Sequence, residues 1–184
     1  MGRTVEQMCA RLDEVLRRLR GAGLKIKPEK CQLLRTEVTY LGHVVSAEGV
    51  RPEPEKVQAV RDWPTPRSVK ELRGFLGLAS YYRTFIQGFA KRAEALHRLL
   101  DKGAEYRWGP EHQAAFEDLR TCLVTAPVLG YPTPEGQLII DTDASGNGLG
   151  AVLSQQQGGA GRVLAYASRA CLLYTSDAAD DSAC

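Results

Sequence analysis

Two carboxylates, Asp141 and Asp143, stand two residues apart at the end of the apolar run Leu138-Ile139-Ile140, and the glycine-rich stretch Gly146-Asn147-Gly148 follows soon after. Such a run reads as a strand, and residues i and i+2 of a strand point to the same face. Carboxylates delivered by a strand into a turn are a common way to hold a hard cation such as Mg²⁺. A second apolar run, Ala151-Val152-Leu153, lies beyond the turn. The five cysteines, Cys9, Cys31, Cys122, Cys171 and Cys184, are scattered, with no Cys-x-x-Cys and no His/Cys pair at zinc spacing. His97 and His112 have no local partner acid, and both read as surface or packing residues.

The elements that must carry these residues can be read along the chain. A length of 184 residues holds one good core or two small domains, and the charged and apolar fractions are those of a globular protein. The net charge of +2 is unevenly placed. Residues 67–102 hold eight Lys/Arg against three acids, whereas residues 103–170 hold four against seven. The basic middle suits a polyanion, and the acidic later part suits a metal. The odd cysteine count and the lack of a signal peptide point to a reducing, intracellular setting. No apolar run approaches transmembrane length, so no membrane partner is expected.

Residues 4–20 predict an amphipathic helix, with Val5, Met8, Leu12, Val15, Leu16 and Leu19 at three- and four-residue steps. The stretch from Lys25 to Ser46 is strand-like, and Gly42 inside it marks a bulge or a close backbone approach. Four prolines between residues 51 and 67 predict a connection around a short helix near Lys56–Asp62. Ser68 and Glu71 form a capping box for a helix that carries its apolar face from Val69 to Ile86 and stops at Gly88. A short helix closing at Gly103 comes next, then one that starts at Gly109-Pro110. Strands at 137–143, 149–155 and 162–168, joined by glycine-rich turns, predict an antiparallel meander.

Several phrases occur in a recognisable order. They are Gly23-Leu24-Lys25 with Lys30-Cys31, Tyr40-Leu41-Gly42-His43 with Gly49, and Pro66 through Phe75-Leu76-Gly77-Leu78. Then come Tyr81-Tyr82-Arg83-x-Phe85-Ile86, Trp108 with Phe116 and Leu119, Ala126-Pro127-Val128-Leu129, and Thr142-Asp143-Ala144-Ser145 before Gly150-Ala151-Val152-Leu153-Ser154-Gln155. From about residue 4 to 170 this set resembles the polymerase–ribonuclease H polyprotein of gypsy-type LTR retrotransposons and their retroviral relatives.

The resemblance implies an α+β fold in regions. Residues 1–62 look like the end of a polymerase palm with a primer-gripping hairpin, where Leu41, Gly42 and His43 would approach a phosphate closely. Residues 63–103 look like a helical thumb. There Gly74 and Gly77 would admit a groove or another helix, and Arg83 and Lys91 would reach phosphates. Tyr82 and Phe85 fit better as packing residues. Residues 104–170 look like the opening strands of a ribonuclease H-like domain. Asp143 aligns with that family's first catalytic acid, a ligand in a two-Mg²⁺ site, with Asp141 a secondary ligand. The implied partners are an RNA–DNA or DNA template–primer duplex and the remainder of the Pol polyprotein. The implied location is an intracellular particle or the nucleus.

The family also needs a Tyr-x-Asp-Asp turn, an earlier aspartate and further ribonuclease H acids, none of which is evident in this sequence. The isolated chain is therefore expected to lack both activities. Residues 171–184, small and acidic without periodicity, read as a non-native or frameshifted end; an uninterrupted native reading frame would overturn that. Two other readings compete. A haloacid-dehalogenase-like phosphatase would use Asp141 as nucleophile and Asp143 as acid, but needs a parallel sheet with helical crossovers and a downstream lysine. A non-enzymatic nucleic-acid-binding or inert remnant would use only the thumb-like helices.

Overall fold

The computed structural model describes residues 4–33, 35–145 and 148–170. The expected tail and two residues of the glycine-rich turn, Gly146 and Asn147, lie outside the described residues. The chain forms two compact units that divide between Arg35 and Thr36.

In the first unit, α1 spans Val5–Gly21. Thr4 caps it, its hydroxyl accepting from the Gln7 amide at 3.3 Å, and Glu14 pairs with Arg17 and Arg18 one turn on. None of its residues is fully buried. A single 3-10 turn at Pro28–Lys30 follows. The expected strand from Lys25 is therefore shorter than its sequence pattern, because Pro28 opens a helical turn there.

The second unit begins with an antiparallel meander, β1 (Glu37–Tyr40), β2 (His43–Ser46) and β3 (Val50–Pro52), in that order across the sheet. Helix α2 (Pro54–Arg61) starts on a proline, and α3 (Val69–Tyr81) is capped by Ser68, whose hydroxyl accepts from the Glu71 amide at 3.3 Å. The Glu71 carboxylate reaches back to the Arg67 amide at 2.8 Å, one residue further than a standard capping box. Helix α3 stops at Tyr81 rather than running to Ile86. A 3-10 turn at Arg83–Phe85 and a left-handed Gly88 (φ +64°) redirect the chain into α4 (Phe89–Arg98). This break lets Tyr82, Phe85, Ile86 and Phe89 all enter the same core.

Helix α5 (Pro110–Val124) brings Phe116, Leu119 and Leu123 to that core, and the Phe75 and Phe116 rings lie 4.6 Å apart. Burial of each such side chain is worth about 1.5–3 kcal/mol. The expected regional boundaries at 62/63 and 103/104 fall inside this unit, and α2, α3, α4 and α5 share one hydrophobic cluster.

The second sheet has the order β4 (Leu138–Ser145), β5 (Gly148–Gln157), β6 (Ala160–Ala170), all antiparallel. Gly158-Gly159, both at positive φ, make the tight β5–β6 turn. Strand β6 lies on the helices: the Ala90 amide donates to the Ser168 hydroxyl at 2.9 Å, and Val163 and Tyr166 pack on the core. The two sheets are joined through Leu129, which exchanges two 2.9 Å hydrogen bonds with Val50, and Gly130, whose amide donates to Val163. The fold is thus α+β, as expected, and the antiparallel meander forms over longer strands than the pattern predicted.

Candidate nucleic-acid interface

The β1–β2 register pairs Tyr40 with His43, which leaves Leu41-Gly42 as a two-residue connection. Both residues have positive φ, +47° and +72°, as a type I′ turn requires. Glycine adopts this freely, while an L-residue pays on the order of 1–2 kcal/mol, so the surroundings must hold Leu41 there. They do. The Tyr81 hydroxyl donates to the Leu41 carbonyl, and the Tyr82 hydroxyl donates to the Gly42 carbonyl at 2.8 Å. The Glu53 amide donates to the same Gly42 oxygen at 2.9 Å. His43 Nδ1 lies 2.8 Å from the Leu41 oxygen, which assigns it the donor role.

The His43 ring sits 5.3 Å from the rings of Tyr81 and Tyr82 and 5.6 Å from that of Phe85. Tyr82 is only 2% exposed. Burial raises its phenol above the ordinary value, with Tyr81 and Glu53 adding to the shift, so it stays a protonated donor at neutral pH. A methyl group at Gly42 would lie 2.8 Å from that hydroxyl. The close approach expected at Gly42 is therefore made by Tyr82. The side chains of Tyr40 and Leu41 point the other way, 66% and 68% exposed.

On α3, Lys70, Gly74, Gly77 and Tyr81 are all exposed and recur at helical steps, which places them on one stripe. A Cβ at Gly77 would meet nothing within 4 Å, and one at Gly74 would meet only Trp63 at 3.8 Å. Internal packing therefore does not require either glycine, although each costs about 1 kcal/mol against alanine in a helix. Tyr81 joins this stripe to the hairpin turn. In the sequence, Lys70 and Tyr81 lie within family-like phrases that do not by themselves mark either as a contact residue. Their spacing with Gly74 and Gly77 was the available signal.

Lys91 is exposed on α4. Arg83 is exposed too, but its Nη2 donates to the Ser168 carbonyl at 2.5 Å. Part of its donor set is thus committed to β6, a structural tie that its sequence position did not reveal. His112 is a packing residue, its Nδ1 accepting from the Gly109 amide at 3.0 Å beneath the Trp108 ring. His97 is exposed on α4.

Asp141 and Asp143 both lie exposed on β4, opposite Val152 and Gly150. Directly paired residues share a sheet face. Through Gly150 opposite Ser168 and Val152 opposite Tyr166, both carboxylates fall on the face that meets the helices, two strands out from them. Among the described residues no group of three or more His, Cys, Asp or Glu is placed to hold a metal. Two carboxylates on an open strand do not by themselves make a two-ion centre. The antiparallel order of β4, β5 and β6 removes the phosphatase reading, which needs a parallel sheet. Among the described residues no helix is long and apolar enough to cross a membrane.

Residues 108–174 match the family described as RNase H-like domain found in reverse transcriptase. The chain is 36% identical over 170 residues to the retrovirus-related Pol polyprotein from transposon 412 of Drosophila melanogaster, covering 92% of this chain and 14% of that protein. It is 38% identical over 156 residues to the corresponding polyprotein of transposon 297 from the same fly, covering 84% of this chain and 14% of the relative. It is 36% identical over 143 residues to the transposon Tf2-3 polyprotein of Schizosaccharomyces pombe, covering 78% and 11%. Among solved structures it resembles a foamy viral protease-reverse transcriptase in complex with an RNA/DNA hybrid, with TM-score 0.76 and 27% identity over 94% of this chain and 24% of that one. A second structure of that kind, in complex with double-stranded DNA, gives the same TM-score of 0.76 and covers 31% of the solved chain.

Proposed function

The chain belongs with the retrovirus-related Pol polyproteins of retrotransposons, and we propose that it supplies the template–primer grip of a reverse transcriptase together with the opening strands of its ribonuclease H domain. The observation that carries this reading is the turn at Leu41-Gly42, held at positive φ by Tyr81 and Tyr82 at the end of a helix whose open face bears two unneeded glycines. Such a surface suits a sugar–phosphate backbone. The turn presents the exposed Leu41 beside that stripe, the glycines leave room for a groove wall, and the exposed Lys70 of α3 and Lys91 of α4 supply positive charge for phosphates. The likeness to reverse transcriptases solved with RNA/DNA hybrid and with double-stranded DNA supports the choice of ligand.

Within this reading, residues 1–62 are the palm end, 63–103 the thumb and 104–170 the ribonuclease H opening, in a gypsy-type element with intracellular Pol protein. RNA-directed DNA synthesis and hybrid cleavage belong to the whole polyprotein. Asp143, with Asp141 beside it, would supply carboxylate ligands to a Mg²⁺ site whose remaining acids come from outside the described residues. The chain alone cleaves no RNA–DNA hybrid; cleavage that disappears with Asp143→Asn would contradict this.

Titration of a labelled template–primer duplex across a range of salt concentrations tests the grip. Binding should weaken with salt, and Lys91→Ala should lower the slope of log affinity against log salt by about 1. Gly77→Leu should weaken binding while stabilising the folded chain by up to about 1 kcal/mol, because the helix gains propensity and nothing is crowded. Absence of duplex binding at low salt, or a Gly77→Leu variant that binds normally, defeats the proposal.

A further inference from the structure

We propose that the cleft between α2 and the carboxyl-terminal half of α5 is a second phosphate-binding site, suited to the backbone of a nucleic-acid strand. The cleft, about 310 Å³, is lined by Arg51 of β3, Arg61 of α2 and Val124 of α5, among others. It continues into a hollow of about 240 Å³ lined by Arg61, Arg120, Thr121 and Val124. Arg61 and Val124 border both, so the two form one depression, and no aspartate or glutamate lines either.

Among the described residues, none of the neighbouring acids is paired with Arg61 or Arg120, and Glu117 accepts from the Gln113 side-chain amide at 2.8 Å. Glu37 holds Arg51 at 3.1 Å, Asp118 holds Arg92, and Asp62 accepts from Gln58. Arg61 and Arg120 have no ion-pair partner among the described residues. Arg120 lies 5.4 Å from the centroid of the Phe116 ring, a cation–π contact that steadies the guanidinium without using its donors. Guanidinium forks match phosphate oxygens in pairs, and a depression with free forks and no facing acid favours that ligand. Arg61 and Arg120 also sit toward helix carboxyl ends, but each end carries only about half a negative charge. Two full positive charges exceed what the helix ends neutralise.

This site is separate from the hairpin turn and the α3 stripe. Its assignment to a nucleic-acid strand rests on the reading above, while its phosphate chemistry does not. The test uses the whole chain, a labelled single-stranded oligonucleotide, the template–primer duplex, and pyrophosphate as the free-phosphate probe. In R61A/R120A the salt slope for the single strand should fall by about 0.7 for each arginine removed, and R61K/R120K should restore it. A lowered melting temperature with an unchanged slope would assign the arginines to helix-end stabilisation and overturn the proposal. Loss of pyrophosphate binding with strand binding intact would overturn the assignment to a strand. If Lys91→Ala weakens duplex binding and R61A/R120A changes nothing, this site fails and the grip stands. The reverse result keeps this site and removes the grip.

Discussion

Tyr82 shows how one residue can serve both core and site. Its ring is buried with Phe85 and Ile86, and its hydroxyl holds the Gly42 carbonyl. Because burial raises the phenol's pKa, the folded chain binds that proton more tightly than the unfolded chain does. The associated stability is complete below the ordinary tyrosine value of 10.0 and is lost as pH rises through the higher folded value. Tyr106, also raised by burial and donating to the Pro66 carbonyl at 2.9 Å, adds to the same alkaline loss. Tyr82→Phe should therefore flatten the alkaline fall in stability and lower neutral-pH stability by about 1 kcal/mol, the net worth of a typical hydrogen bond. Urea midpoints collected from neutral to alkaline pH give the comparison, and an alkaline fall as steep in the variant as in the parent would refute it. Helical spacing made Tyr82 legible as a packing residue. Its bond to a turn 40 residues away was not legible, because no local pattern records which carbonyl a buried hydroxyl will meet.

At the scale of elements, the strands needed help that their own sequences do not announce. Gln155 on β5 is 2% exposed, and its side-chain amide organises the loop before β4. Its nitrogen donates to the carbonyls of Thr133, Glu135 and Gly136, and its oxygen accepts from the Thr133 amide at 2.9 Å. Gln155 closes a family-like phrase in the sequence, but periodicity alone gives a polar residue no reason to be buried. Gln155→Leu leaves those backbone groups without partners, each costing about 1–3 kcal/mol where water cannot replace the bond. Urea unfolding should show a loss of at least that size, with faster amide exchange across residues 131–137. Unchanged exchange in that loop would rule out the organising role. The break of α3 at Tyr81 has a similar origin. The apolar pattern continues to Ile86, and only the chance to bury Tyr82, Phe85 and Phe89 in one cluster favours the turn over more helix.

Among the described residues, the second sheet packs on the helices with one face and is uncovered over much of the other. The register puts Ile140 opposite Leu153, and Leu149 opposite Ala144, on the side away from Tyr166 and Ser168. Leu138 and Ile140 are 55% and 66% exposed on the edge strand β4. An exposed apolar edge strand is an association hazard. The chain should self-associate with rising concentration, and Ile140→Lys should reduce this without lowering its melting temperature. Light scattering against concentration checks it, and equal scattering by parent and variant would show that this face is not responsible.

The sequence by itself determined the elements and their family. Cap residues, proline positions, apolar spacing and paired glycines are local, so they act before any distant contact forms. They placed the helices and the meander, and they set Asp141 and Asp143 on one face. Tertiary structure alone decided which residues became a site. It locked Leu41-Gly42 at positive φ under two tyrosine hydroxyls, tied Arg83 to β6, buried Gln155, set Gly74 at ordinary contact distance from Trp63 and left Gly77 facing open space. Each of these depends on groups far apart in the chain meeting at hydrogen-bond distance, and that information exists only once the core has closed.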